Sequence, residues 1–261
     1  MLNKISFNNI CVISKFTFTE LYRSKIFFLS LILGICLLGI TFVAFSFTYG
    51  EALRVSLDFG VGMLSLSSCA ISLFMGGSLI SKEIDNRTIY MIISRPVSRE
   101  SFLIGKICGL SGILIVNVII LAVVTLSMYF IVGGEFQPLI VWNVLFIIFE
   151  ALLLLLIVLL CSLMTNSIIT VLISISIYVI GHSLGEIFNI SMVRNNEILR
   201  SQLEIMTYIL PSFFKFNIKD FLLYKTNIGV KALLSTSAYF IFYSSFITCL
   251  ILAVFKKKSL D

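Results

Sequence analysis

The chain has 261 residues, of which 59% are hydrophobic and 12% charged, and it carries a net charge of +6. That balance excludes an ordinary soluble globular domain and points to one polytopic membrane domain over residues 1–261. In a membrane protein the basic excess reads as topology, so no nucleic-acid partner is expected.

Residues 1–25 mix Lys4, Lys15, Arg23 and Lys25 with Ile5, Ile10, Ile13, Phe16 and Leu21, which predicts a helix lying along the membrane surface. Ile26–Phe47 then runs without a charge and covers about 33 Å as a helix, enough to cross a bilayer core. It is too long for the apolar part of a cleaved signal and is expected to be retained. A polar turn around Tyr49–Arg54 leads to a second span, about Leu57–Ile80, rich in Gly60, Gly62, Ser65, Ser67, Ser68, Gly76 and Gly77. Small residues let helices approach closely, and either packing within the chain or a subunit interface would use them.

Residues 81–106 are the most charge-dense internal run. Ile84, Thr88 and Met91 fall at helical spacing among Lys82, Glu83, Asp85 and Arg87, so a short surface helix is predicted up to Pro96. The proline turns Arg95 out of the helical region, and Ser98 is placed to cap the next helix with Glu100 in its first turn. The third span, about Phe102–Val132, opens with Gly105, Gly109 and Gly112 and carries Asn117 near mid-depth; Gly133 to Pro138 is a turn. The fourth span, about Leu139–Leu163, holds Trp142 near one end and Glu150 near its middle, and the fifth covers about Ile168–Ile190.

The segment Ser191–Lys231 is neither a clean span nor a plain loop. Leu199, Leu203, Met206 and Leu210 form a stripe on a segment carrying Arg194, Glu197, Arg200 and Glu204, an amphipathic helix ending at Pro211. A second short helix is expected to start at Asn217, with Asp220 three residues on, and to turn Phe221 and Leu222 toward the membrane. The sixth span, about Ala232–Phe255, ends against Lys256, Lys257 and Lys258. With both termini and the 81–106 loop in the cytoplasm, twelve of the basic residues lie inside, Arg54 alone lies in the two short outer turns, and six lie in the long outer segment. The expected fold is therefore all-α, with six transmembrane helices, an N-terminal interfacial helix and short outer helices between spans five and six.

Chemistry within the chain can be tested against known patterns. The phosphate-cradling loop Gly-x-x-x-x-Gly-Lys-Ser/Thr is absent, because Gly105-Lys106 is followed by Ile107 and preceded five positions earlier by Glu100. His182 is the one histidine, so a His-Glu-x-x-His zinc site is impossible, and no Gly-x-Ser-x-Gly turn occurs. The six cysteines lie in or beside apolar runs and read as reduced packing residues. His182 and Glu186 share a face of the fifth span; His182 is read as structural, bonded to a carbonyl or to Glu186, in preference to catalytic. An ionisable side chain in mid-bilayer costs about 2.5–3.5 kcal/mol and should face protein or water. Glu150 therefore either makes a structural hydrogen bond, to Asn117, to a serine of a neighbouring helix or across a subunit interface, or it belongs to a substrate path or gate. Arg95 and Arg99 beside Pro96 also suit anionic lipid headgroups.

The order Glu83, Arg87-Thr88, Ser94-Arg95-Pro96-Val97-Ser98-Arg99 and Gly105-Lys106 resembles the inner loop of ABC-2 type transporter permeases. Arg87 stands where many members have glycine. Pro211 to Asn217 is similar to a segment of the branch that includes permeases linked to copper-enzyme maturation. The resemblance implies a coupling helix at residues 81–101 in which Glu83, Arg87, Thr88, Pro96 and Arg99 transmit movement from a separate ATPase subunit. It also implies a second permease copy or homologue in a dimer, a bacterial inner-membrane location, and ATP and magnesium bound by the partner rather than by this chain. The chain itself would be no enzyme, and Asn117, Glu150, His182 and Glu186 would be candidates for the pathway or gate. A six-span substrate-binding module of a vitamin-type importer and a small intramembrane enzyme are the alternatives.

Overall fold

A computed structural model describes residues 7–23, 52–85, 98–187, 197–224 and 228–257, with scattered positions between 28 and 47. Among the described residues there is no strand. The helices are α1 (Phe7–Tyr22), α2 (Ala52–Asp85), α3 (Arg99–Ile131), α4 (Pro138–Met164), α5 (Ser167–Ile187), α6 (Glu197–Ile209), a 3-10 turn (Phe213–Phe216), α7 (Lys219–Leu223) and α8 (Val230–Lys257). Five of them, α2, α3, α4, α5 and α8, are long and apolar enough to cross a membrane. The expected span Ile26–Phe47 falls largely outside the described residues, so the count of six is not established.

The centre of the bundle is α4, and the reason is in its sequence. Leu153 to Leu159 is apolar on every side, and each of those residues is buried, as expected of a helix surrounded by others. It packs against α2, α3, α5 and α8. The small residues of α2 serve this packing. A Cβ on Gly60 would lie 2.7 Å from Thr125 of α3, one on Gly76 2.7 Å from Val158 of α4, and one on Gly77 3.0 Å from Val171 of α5. Ser72 adds a hydrogen bond across the interface, its hydroxyl donating to the Ala151 carbonyl at 2.9 Å. These positions of the stripe are thus occupied by contacts within the chain.

Helix ends follow local chemistry. Ser98 caps α3, accepting from the Ser101 amide at 3.2 Å, with Glu100 in the first turn. At the other end Gly133 adopts φ +96°, and the amides of Gly133 and Gly134 bond back to the carbonyls of Phe130 and Tyr129. That is a Schellman closure, which needs the left-handed glycine. Pro138 then starts α4, where its missing N–H costs nothing.

A helix does form at the N-terminus, α1, and it is anchored to α3. Cβ atoms on Gly105 and Gly109 would stand 3.0 and 2.8 Å from the carbonyl oxygens of Ile10 and Ser14, so only glycine permits this approach. Lys106, of the Gly-Lys pair, is buried with its ammonium 5.5 Å from the Phe102 ring centre. Glu100 at the start of α3 pairs with Lys256 near the end of α8, so these two helices are antiparallel. The six cysteines are free, but only Cys69 is buried; Cys11, Cys36, Cys108 and Cys249 are exposed on the outside of the bundle.

The segment between α5 and α8 departs from expectation. The amphipathic helix α6 forms as predicted and stops before Pro211. Beyond it the chain turns inward: Phe213, Phe216 and Leu222 are 0–2% exposed. Leu222, expected to face the membrane, points into the bundle, whereas Phe221 is exposed. The physical reason is that Phe213, Phe216, Ile218 and Leu222 together bury more apolar surface against α2, α4 and α5 than a lone five-residue helix on a surface could.

Candidate functional site

The inward turn roofs one side of a half-open cavity of about 440 Å³ between α2, α4 and α5. Three helices supply its walls by simple periodicity. Ser65 and Cys69 lie one turn apart on α2, Asn143, Ile147 and Glu150 share a face of α4, and Tyr178 and His182 lie one turn apart on α5. Phe216, Asn217 and Lys219 close it from the roof.

Glu150 is the hub. It is 3% exposed and receives the Tyr178 hydroxyl on Oε1 at 2.8 Å. His182 Nε2 lies 2.7 Å from the same oxygen, and the Ser65 hydroxyl donates to Oε2 at 3.4 Å. A carboxylate only accepts, so the imidazole hydrogen belongs on Nε2 when Glu150 is ionised. Hydrogen bonds to a charged group contribute about 1.5–3 kcal/mol each. Two such short bonds match the cost of about 2.5–3.5 kcal/mol for holding the carboxylate at this depth. The roof supports the donors: Phe213 lies 5.2 Å from the Tyr178 ring and nearly parallel to His182 at 6.4 Å.

Polar contacts on either side hold the roof down. Lys219 forms an ion pair with Asp58 of α2. Opposite, the Ser212 amide donates to the Tyr239 hydroxyl of α8 at 2.9 Å, and the Lys215 ammonium sits 4.5 Å over the Tyr239 ring. Asn217, expected to cap α7, instead ends the 3-10 turn and accepts from the Lys219 amide at 3.2 Å, while Ile218 takes the capping position. A second hollow of about 270 Å³, bordered by Arg54, Tyr129, Glu135 and Tyr224, lies where α3 meets α4.

Gly181 is where roof and wall touch. A Cβ there would collide with the Pro211 carbonyl oxygen, which is backbone and cannot swing aside. Gly181→Leu should therefore lift the roof, at a cost of about 1–3 kcal/mol. With the other five cysteines replaced, maleimide labelling of Cys69, which is 6% exposed in the native protein, should rise several-fold. Unchanged labelling would mean the roof tolerates the insertion.

The sequence-predicted residues fall in three groups. Glu150 and His182 come together, though His182 bonds Glu150 and the partner predicted for it was Glu186 or a carbonyl. Asn117 is fully buried on α3 but does not line the cavity. Arg87, Thr88 and Pro96 lie outside the described residues, as do the side chains of Glu83, Arg99 and Glu186. Tyr178 was not foreseen; a serine of a neighbouring helix was expected as a partner of Glu150, and Ser65 is that serine. A tyrosine four residues before the sole histidine was a legible signal; which of the many small residues of α2 would meet Glu150 was not.

Among the described residues no three His, Cys, Asp or Glu side chains are grouped to hold a metal ion. Residues 16–190 match the model of a family described as ABC-2 family transporter protein. No curated protein sequence matches the chain.

Proposed function

The chain belongs to the ABC-2 family of transporter proteins, a permease component of an ATP-binding cassette transporter, and from that premise we propose that it is an exporter subunit driven by a separate ATPase. The ATPase docks on the loop between α2 and α3. Two copies of the chain, or this chain and a homologous permease, face each other across the transport path in a bacterial inner membrane. Both termini and the docking loop lie on the cytoplasmic side, and ATP with magnesium is bound by the partner.

The observation that best supports this reading is the continuity of α2. Its 34 residues extend about 51 Å, well beyond a hydrocarbon core of about 30 Å. Glu83 lies in its last turn and Ser65 and Cys69 line the cavity. A push on the loop is thus applied to the same rod that forms one cavity wall. Closure of an ATPase dimer would bias two arrangements of the bundle by contacting them differently.

The test is assembly. Tagged permease, co-expressed with an ATPase encoded beside it, should retain that ATPase through purification and change its rate of ATP turnover. A permease that holds no ATPase, and alters the turnover of none, would refute the assignment.

A further inference from the structure

Resting on the permease reading, we propose that the roofed cavity binds small amphipathic organic cations, with a protonated amine on Glu150 Oε2 and an apolar body along the walls. The asymmetry of the carboxylate carries this. Oε1 has two short donors, from Tyr178 and His182. Among the described residues Oε2 has only the Ser65 hydroxyl, at 3.4 Å, well beyond the usual O–H···O length of about 2.7–2.8 Å. The unused acceptor capacity of the carboxylate is therefore on one oxygen, beside a cavity of about 440 Å³. That volume is within the range of small-molecule sites, about 300–1,000 Å³.

The surroundings select the class of ligand. The cation at the rim, Lys219, is paired with Asp58 and leaves Glu150 as the dominant charge facing the cavity. An anion would meet that carboxylate, and the Lys219 ammonium is already engaged by Asp58. A metal ion is disfavoured because the described residues offer no cluster of three ligands. Val61, Ile147, Val179 and Phe216 supply apolar wall, and the Phe216 and Tyr178 rings favour a positive group near their faces. An ammonium with an apolar tail satisfies both halves of this lining.

The probe pair is 4-phenylbutylamine and 4-phenylbutanol, alike in size and different in charge. Binding is measured on the full chain in lipid nanodiscs, with empty nanodiscs subtracted. The amine should bind saturably and the alcohol about tenfold or more weakly, the size expected for a hydrogen bond to a charged group. Glu150→Gln should erase that difference. Gly62→Leu tests the cavity independently of the carboxylate: a Cβ there meets only the flexible Lys219 ammonium at 3.4 Å, so the side chain grows into the cavity. It should weaken both probes. Equal affinity for amine and alcohol, native amine affinity in Glu150→Gln, or native amine affinity in Gly62→Leu would each overturn the proposal. Should Glu150→Gln fail to fold, the probe comparison on the native chain and the Gly62→Leu result still decide it. The measurement needs no ATPase, so its failure leaves the permease assignment standing, and loss of that assignment leaves binding intact.

Discussion

Replacing Glu150 with alanine should destabilise the bundle by about 2–4 kcal/mol, because it strips the acceptor from Tyr178 and His182 in a buried site. Glutamine keeps one carbonyl oxygen for those two donors, and its amide can donate to the Ser65 hydroxyl. Glu150→Gln should therefore cost less than about 1 kcal/mol. Unfolding of both variants in lipid nanodiscs measures the difference, and a double-mutant cycle with His182→Ala isolates the shared bond. Equal stability of the native chain and both variants would show that the hub holds nothing together. Transport separates the remaining roles. If Glu150→Gln is stable and transports normally, the carboxylate is structural; if it is stable and inactive, the charge belongs to the path.

The double substitution Glu83→Ala with Arg99→Ala should uncouple ATP turnover from transport. Both positions flank the loop, at the end of α2 and the start of α3. Coupling free energies of about 1–3 kcal/mol correspond to a transport loss of roughly 5–150-fold. The permease should still insert and assemble, because both positions lie at helix ends that border the loop, and ATP hydrolysis by the complex should continue. Native transport rates in reconstituted vesicles would remove these residues from the coupling route. The same variants in the nanodisc binding assay should leave the cavity unaffected, since Glu83 lies about 27 Å along α2 from Ser65 at 1.5 Å per residue.

The five described spans were legible to within a few residues, and the cause is visible in each. An uncharged run such as Ile168 to Ile180 can be satisfied in a bilayer only as a helix, since every backbone polar group must then be paired internally. Ser98 and Gly133 announced helix ends because each does something that other residues do poorly: one offers a side-chain acceptor, the other a left-handed turn. The 211–223 segment was misjudged in one respect. Its pattern of Phe213, Phe216 and Leu222 is apolar enough for either a membrane surface or a protein interior, and periodicity does not distinguish those two surroundings.

Sequence alone determined that this is a helical membrane protein of the permease kind, because span length, charge distribution and the residues of the 81–106 loop are properties of a linear string. It also marked Glu150 as a residue that must have company, since its cost at mid-bilayer depth does not depend on the fold. Only the tertiary structure decided which company. Ser65 and His182 are 85 and 32 positions away from it. They meet it through the rotation of α2 and α5 about their own axes. The apolar residues around Leu153–Leu159 leave that rotation undetermined, because a helix greasy on every side offers no preferred face. It is set instead by where glycines such as Gly76 and Gly181 allow close approach.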